Sequence, residues 1–181
     1  MNKKQIQQRV SQDGQPLSLD KFEWDEKTNT FSSDESNLVL DFNGINNCTF
    51  KTGSYCTFKT GFDCTFKTGF NCTFKTGFNC TFDTGSDCTF KTDSYCTFNT
   101  GSYCTFNTGS NCTFNTGSDC VIVRRDIYEI IEPEEDKKIK LNEYGIKGFY
   151  VDDEPDDEVE ITVEGKTKRI SRKSAEELNL L

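Results

Sequence analysis

The chain of 181 residues contains no histidine, one methionine and one tryptophan. Without histidine it has neither the commonest general base nor the Ser-His and Cys-His pairs of nucleophilic enzymes, and no imidazole to bind a metal. No segment approaches the roughly 20 consecutive apolar residues of a membrane-spanning helix, and the polar residues 1–10 lack the apolar region of a signal peptide. We therefore expect a cytoplasmic protein that is not an enzyme, with no catalytic, cofactor or metal site and no membrane partner.

The chain carries 30 acidic and 21 basic side chains, a net charge of −9. The excess is uneven: residues 48–120 carry five of each sign, residues 1–47 have three more acids than bases, and residues 121–181 have six more. An acidic surface can imitate a phosphate backbone and inhibit a nucleic-acid enzyme, which is one alternative function. Binding of nucleic acid itself is not indicated, because the basic residues form no stripe with interleaved aromatic residues.

Nine consecutive octapeptides of the form Cys-Thr-Phe-x-Thr-Gly-x-x occupy residues 48–119, and Cys120 begins a tenth that departs into Val-Ile-Val. Each copy must occupy nearly the same environment, which a stacked solenoid provides. The first five positions alternate as a β-strand does, so that Cys, Phe and the fifth-position Thr face inward while the second and fourth positions face solvent. The predicted core consists of the repeated cysteines and phenylalanines: Cys48, Phe50, Cys56, Phe58, Cys64, Phe66, Cys72, Phe74, Cys80, Phe82, Cys88, Phe90, Cys96, Phe98, Cys104, Phe106, Cys112, Phe114 and Cys120.

Distances set the number of octads in one coil. A five-residue strand spans about 16 Å and a three-residue turn about 10 Å, which is also the separation of two sheets packed face to face. Two octads, 16 residues in all, therefore form a flattened coil in which residues i and i+16 stack about 4.8 Å apart. Lys59, Lys75 and Lys91 then form one outward column, and Lys51 and Lys67 form another on the opposite face. A triangular coil of three octads is an open alternative, whereas a meander of antiparallel hairpins would leave Cys and Phe without an opposing layer.

The sixth-position glycine is expected to adopt a positive φ in the turn, and Asp93, which replaces it once, to tolerate the same left-handed conformation. The ten cysteines are expected to be free thiols that act as small buried apolar side chains. Stacked strands hold equivalent residues about 4.8 Å apart, farther than the Cβ separation of about 3.8 Å in a disulfide. Zinc is not indicated, because its ligands usually come in closer pairs. Disulfides or a metal are the minor alternatives.

The repeat Cys-Thr-Phe-(Lys/Asn/Asp)-Thr-Gly-(Ser/Phe)-(Tyr/Asn/Asp) resembles that of the tandem octapeptide-repeat proteins, which are distantly similar in architecture to the pentapeptide-repeat proteins. The resemblance covers residues 48–119 and implies a self-associating β-solenoid with no established activity. The predicted fold class is mainly β: a parallel β-solenoid with two octads per coil, an N-terminal hairpin cap, and a small C-terminal, mostly β domain that ends in a short helix. The corresponding domains are residues 1–37, 38–131 and 132–181.

The N-terminal flank contains a predicted hairpin and a degenerate octad. Residues 21–25 and 30–32 bracket a turn, so that Trp24 and Phe31 can close the end of the solenoid. Residues 40–43 lie one period before residues 48–51 and repeat their in–out pattern, which places Leu40 where Cys48 stands. Residues 1–16 are expected to form a frayed helix or to be disordered.

The C-terminal flank begins with a strand that is apolar on both faces and must therefore be covered on both. The cover is either the chain's own C-terminal domain or a second copy in a homodimer, for which two-fold symmetry is the default. The candidate interface residues in this segment are Val121, Val123, Ile127, Tyr128, Ile130 and Ile131.

The remaining C-terminal residues are predicted to form a small domain. Its strands are expected at residues 137–142, 146–151, 158–163 and 167–171, with a turn at 164–165 and a final helix capped by Ser174 and Glu177. The acidic run 152–158 is interpreted as a solvated loop, with weak calcium binding as the alternative.

Phe62, Phe70 and Phe78 occupy the seventh position, where the other six octads have Ser. If they point outward, they form an apolar patch on one side of the N-terminal coils and a candidate partner site; if they point inward, they fill corners. The leading functional hypothesis is a structural or protein-interaction scaffold that self-associates through its end or its C-terminal domain. Besides nucleic-acid mimicry, the alternative is ice binding, because outward threonines would form regular files on a flat face.

Overall fold

The computed structural model describes residues 1–135, 137–151, 158–163 and 166–171. The chain divides into two compact units, Met1–Val151 and Asp152–Leu181. The described helices are α1 (Lys3–Gln7) and one 3-10 helix (Leu19–Lys21). No helix in the described part of the chain has the length and apolar character of a membrane span.

The first unit contains two nine-stranded sheets, here called sheet A and sheet B. Sheet A consists, in spatial order, of β16 (Glu129–Ile131), β15 (Val121–Arg124), β13 (Thr105–Thr108), β11 (Thr89–Lys91), β9 (Thr73–Lys75), β7 (Thr57–Thr60), β5 (Leu38–Phe42), β1 (Val10–Gln12) and β2 (Gln15–Pro16). Sheet B consists of β18 (Phe149–Val151), β17 (Ile139–Leu141), β14 (Thr113–Thr116), β12 (Thr97–Thr100), β10 (Thr81–Thr84), β8 (Thr65–Lys67), β6 (Thr49–Lys51), β4 (Thr30–Ser32) and β3 (Glu23–Asp25). In the second unit, β19 (Glu158–Val163) pairs antiparallel with β20 (Lys166–Ser171).

Alternate octads enter alternate sheets, so one coil contains two octads. Phe82 is paired in register with Phe98, and Phe90 with Phe106, each 16 residues apart along parallel strands. The parallel part of each sheet contains six strands, from β5 to β15 and from β4 to β14, which makes about six turns of solenoid. The predicted parallel β-solenoid with two octads per coil is confirmed, and the coil of three octads is wrong.

Phenylalanines from both sheets fill the core. Within one sheet they stack face to face, as Phe66 and Phe82 do at a centroid distance of 4.9 Å and an interplanar angle of 5°. Between the sheets they meet edge to face, as Phe74 and Phe82 do at 5.2 Å and 74°. Every predicted core cysteine and phenylalanine is buried, and the fifth-position threonines are mostly buried with them. Because burial of one Phe side chain stabilises a fold by about 2 kcal/mol, these columns dominate the stability of the solenoid.

The glycine prediction is wrong, and the turn geometry shows why. The positive φ lies at the eighth position, for example at Tyr55 (φ 60°) and Asn71 (φ 54°), while the sixth-position glycines have ordinary φ. Glycine is needed there because the preceding coil approaches closely: a Cβ on Gly61 would lie 2.8 Å from the carbonyl oxygen of Ile45. Asp93 is likewise outside the left-handed region.

Residues 1–16, expected to be frayed or disordered, form an ordered cap. Asn2 and Gln5 make reciprocal capping hydrogen bonds at the start of α1, and β1 pairs antiparallel with β5. The predicted hairpin is confirmed, since β3 pairs with β4 and Trp24 lies opposite Phe31. Both sheets thus end in an antiparallel pair at the N-terminus.

The degenerate octad is present, but its predicted phase is wrong by two residues. Leu40 is paired with Phe58, so it takes the phenylalanine position rather than the cysteine position. The reason is the next connection: residues 43–47 separate β5 from Cys48, whereas later turns have three residues, and Gly44 has a φ of +74° there. The inward pattern itself is as predicted, because Leu38, Leu40 and Phe42 are all buried.

At the C-terminal end each sheet again reverses direction. β15 pairs antiparallel with β16, and β17 pairs antiparallel with β14 and with β18, so residues 139–151 continue sheet B. The four strands predicted after residue 131 are present as β17 to β20. The predicted turn at 164–165 and final helix with Ser174 and Glu177 lie outside the described residues, as does the acidic run at 152–157.

Candidate functional site

The segment predicted as an interface is only partly buried by its own chain. Ile131 lies opposite Ile122 and belongs to the core, while Val121, Val123 and Ile127 are half-buried. Tyr128 and Ile130 keep 92% and 69% of their surface exposed. The antiparallel hairpin of β15 and β16 therefore covers one face of the apolar strand and adds new exposed apolar surface beyond it.

A second set of exposed apolar residues was missed by sequence reasoning. Tyr144 and Ile146 are 77% and 54% exposed, and all three residues of β18 are exposed. They lie beside the β15–β16 hairpin, because the Glu129 carboxylate accepts a hydrogen bond from the Gly148 N–H at 3.0 Å. We call the following residues the C-terminal patch: Tyr128, Ile130, Tyr144, Ile146, Phe149, Tyr150 and Val151.

Arg124 holds this end together from a fully buried position. It occupies the fifth position of its octad, opposite Thr108, where the preceding octads have Thr. Its guanidinium donates to both Asp126 carboxylate oxygens, at 3.2 and 2.7 Å, and to the carbonyl oxygens of Ile146 at 2.7 Å and Glu143 at 3.2 Å. Arg124 thereby fixes the loop that carries Tyr144 and Ile146, so its hydrogen bonds hold these two exposed residues of the patch in place.

Asp126 is the acidic partner in this network, and its side chain is 5% exposed. Burial raises the pKa of this carboxyl, but hydrogen bonds from Arg124 and from the Gly145 N–H outweigh burial, so the pKa lies below its ordinary value. The buried pair is therefore ionised, as a bidentate Arg–carboxylate contact requires.

Two edge strands contribute residues to the C-terminal patch. β16 is the outer strand of sheet A and β18 is the outer strand of sheet B, and neither pairs further within the described residues. An edge strand offers free N–H and C=O groups to another chain, and apolar side chains increase that tendency. The arrangement can bind another β-edge by backbone hydrogen bonds and apolar contact.

The three seventh-position phenylalanines point outward rather than filling corners, and they do not share one side, so they do not form the single apolar patch considered as the alternative. Phe62 and Phe78 stack on one edge of the solenoid, with centroids 4.8 Å apart and an interplanar angle of 6°. Phe70 follows a strand of the other sheet and contacts Tyr55 at 5.2 Å. Residues eight apart stand on opposite edges, which is a direct consequence of the two-octad coil.

Asp93, the exception to the glycine rule, makes an ion pair with a second exception. Its carboxylate lies 2.8 Å from Arg125 Nη2, which also donates to the carbonyl of Thr92. Both residues stand at the sixth position, two coils apart, and Arg125 reaches past Gly109. The two departures from the repeat thus compensate each other in charge.

A side chain is accommodated at residue 93 because the preceding coil has Phe78 rather than Ser at its seventh position. Gly77 shows the same arrangement, since the coil before it has Phe62: an added Cβ there would meet no atom closer than 3.3 Å. At Gly69, by contrast, an added Cβ would lie 2.2 Å from Ser54 Oγ.

The outward lysines form the two predicted columns. Lys75 is paired in register with both Lys59 and Lys91 on sheet A, and Lys51 with Lys67 on sheet B. Within the described part of the chain, none of their ammonium groups has an ion-pair or hydrogen-bond partner.

All ten cysteines are buried free thiols. Their sulfurs link adjacent coils, as in the hydrogen bond from the Cys72 N–H to Cys88 Sγ at 3.4 Å. They also bond within their own turn, as Cys72 Sγ does to the Phe70 carbonyl at 3.5 Å. Burial raises the pKa of Cys48 to about 11, and the hydrogen bond with Cys112 raises that of Cys96 to about 12. Cys48 and Cys96 are consequently protonated at neutral pH, which makes these two thiols poor nucleophiles and poor metal ligands. Hydrogen bonds with Cys88 and Cys96 instead lower the pKa of Cys104 and Cys112, respectively.

Among residues 1–135 and 137–151, no group of three or more His, Cys, Asp or Glu side chains is placed to hold a metal ion. The notable sites are therefore the C-terminal patch with its Arg124 support, the lysine columns and the aromatic edges. No protein-family model, no curated protein and no solved structure matches this chain.

Proposed function

We propose that this protein is a non-enzymatic scaffold that self-associates through the C-terminal end of its solenoid. The observation that carries the proposal is the C-terminal patch, in which Tyr128, Ile130 and Tyr144 are more than two-thirds exposed beside two open edge strands. Exposed apolar side chains beside open strand edges are typical of an interaction site in soluble proteins.

The partner that fits this end best is a second copy of the chain. Two identical edge strands can pair antiparallel about a two-fold axis, so β16 or β18 can hydrogen-bond to itself in a partner subunit. The N-terminal edges are poor acceptors for such pairing, because β2 contains Pro16 and β3 exposes Glu23 and Asp25. A closed homodimer is therefore favoured over a head-to-tail filament.

We further propose that the chain belongs with the tandem octapeptide-repeat proteins and resides in the cytoplasm. Nine octads with one consensus support the first statement. Ten free thiols support the second, since reducing compartments preserve them. Nucleic-acid mimicry and ice binding have less support, because lysine columns stand among the outward threonines on both faces.

The test is the mass of the full-length protein by size-exclusion chromatography with light scattering at tens of micromolar. We expect a dimer for the natural sequence and a monomer for Ile130→Lys, which puts a charge on the exposed edge strand β16. The matched control is Val39→Lys, because Val39 is also an exposed strand residue of sheet A, 45% exposed, but lies in the first coil. This control should remain a dimer.

A natural chain that is monomeric at this concentration would contradict self-association through the C-terminal end. A dimer that Val39→Lys disrupts and Ile130→Lys does not would place the interface elsewhere.

A further inference from the structure

A groove on the face of sheet A combines cationic and aromatic walls. Lys59 and Lys75 line one side, and the stacked Phe62 and Phe78 rings line the other. In each of two coils the fifth-position Thr and the sixth-position Gly, which come between the Lys and the Phe in sequence, also line the groove: Thr60, Gly61, Thr76 and Gly77. The groove has a volume of about 480 Å³, within the range of about 300–1,000 Å³ of small-molecule sites.

Lys59 and Lys75 carry like charges that no ion pair among the described residues neutralises. Their backbones are in register on adjacent strands, which are about 4.8 Å apart. Like charges at this spacing repel one another. No carboxylate of the described residues pairs with either ammonium group. A single anionic group placed between them would replace this repulsion with two charge-assisted contacts.

The Phe62 and Phe78 rings beside the lysines favour a ligand that also carries an aromatic ring. Phe78 is 47% exposed although it already stacks on Phe62. The next residue in its column is Ser94, so one face of the Phe78 ring is not covered by another aromatic ring. A planar apolar group can extend the stack there or lie along the ring edges, gaining the usual aromatic contact energy.

Acidic residues limit the length of the ligand. Asp41 and Asp93 line the groove together with the two lysines. Asp41 precedes Lys59 in its column, opposite it in register, and Asp93 lies on the coil after Lys75. A polyanion that extended beyond Lys59 along the column would meet the Asp41 carboxylate, and Asp93 borders the groove two residues after Lys91, the next residue of the column. A small anion that spans two coils avoids both carboxylates.

We propose that this groove binds a small aromatic anion, in which one sulfonate, carboxylate or phosphate group contacts Lys59 and Lys75 and the ring packs against Phe62 and Phe78. The site is separate from the C-terminal patch and does not depend on self-association.

The opposite face supplies a matched control within the same chain. There Lys51 and Lys67 form the equivalent cationic pair beside Gly53, in a groove whose lining contains no aromatic residue. This second groove shares the charge of the first but lacks the stacked rings, so it separates general attraction of anions from specific binding.

The experiment is a fluorescence titration of the full-length protein with anilinonaphthalene sulfonate. Lys59→Asn with Lys75→Asn is expected to weaken binding about tenfold, and Phe62→Ser with Phe78→Ser to abolish the emission from this site. Lys51→Asn with Lys67→Asn should change the affinity by less than about twofold. Each substitution copies a residue that other octads carry at the same position. Because Ser at residue 78 would crowd the Asp93 side chain, the phenylalanine variant also carries Asp93→Gly, and Asp93→Gly alone is its control.

Neutral phenylnaphthylamine provides a test that needs no variant. Binding of the sulfonate should weaken with added salt, and the neutral analogue should bind less tightly than the sulfonate. Equal affinity for both dyes, or equal loss in the two lysine variants, would overturn the proposal. Emission that survives unchanged in the Phe62→Ser, Phe78→Ser protein would also overturn it, because the dye would then bind elsewhere on the protein.

Discussion

The two ends of the solenoid are closed in opposite ways. The N-terminal end is closed by apolar burial: Ile6, Val10, Leu17, Phe22 and Trp24 are all buried, and the edge strands expose proline or carboxylates. The C-terminal end is closed by a polar network around the buried Arg124, and its edge strands expose apolar side chains. The same stack of coils thus has one end whose edge strands expose proline or carboxylates and one end, the proposed site of self-association, whose edge strands expose apolar side chains.

The largest effect is expected from breaking the polar closure at the C-terminal end. Arg124→Ala should lower the free energy of unfolding by about 3–5 kcal/mol, because it leaves Asp126 buried without its partner. Urea denaturation of both proteins measures the loss. Arg125→Ala is the matched control, since its ion pair with Asp93 is exposed and contributes about 1 kcal/mol or less. Similar losses in both variants would contradict the assigned role of Arg124.

Truncating the apolar closure at the N-terminal end should affect stability alone. Ile6→Ala removes a fully buried side chain and should cost about 2–3 kcal/mol in unfolding free energy. The mass measured by light scattering should remain that of the natural protein. A change in oligomeric state would show that the N-terminal end also takes part in association.

The polar closure should respond to pH. The pKa of Asp126 is lowered in the folded protein, so its contribution to stability is full above the unfolded pKa, about 3.9, and is lost as pH falls through the folded value. The stability difference between the natural protein and Arg124→Ala should therefore shrink in acid. A difference that stays constant from pH 7 to pH 3 would contradict an ionised Asp126.

The smallest effect is expected at Asp93. Asp93→Gly restores the repeat and removes one exposed ion pair with Arg125, so the change in unfolding free energy should be below about 1 kcal/mol. A larger loss in thermal or urea denaturation would indicate that the pair ties the last coils together.

The coils could be predicted from the sequence because their geometry is local and repeated. The inward positions of Cys and Phe follow from the period of a strand, and the coil of two octads follows from strand and turn lengths. The opposite edges of Phe62 and Phe70 follow from the same coil, and sequence reasoning overlooked this. The left-handed eighth position has a signal in its Asn and Asp residues, but Tyr55 gives none.

The ends could not be predicted in the same way because they depend on contacts between distant segments. Arg124 is an isolated departure from Thr in the sequence, and its partners at residues 143–148 are visible only in the folded chain. The shifted phase at Leu40 depends on one longer connection near Gly44. Residues 1–16 lack a long apolar pattern, yet β1 pairs antiparallel with the edge of β5 and completes the cap.

Amide hydrogen exchange of the full-length protein at increasing concentration tests the contrast between the two ends most directly. If the C-terminal end self-associates, exchange in β16 or β18 should slow as the concentration rises, while exchange in β2 and β3 should stay unchanged. Slowing confined to the N-terminal strands, or no concentration dependence at either end, would contradict the account.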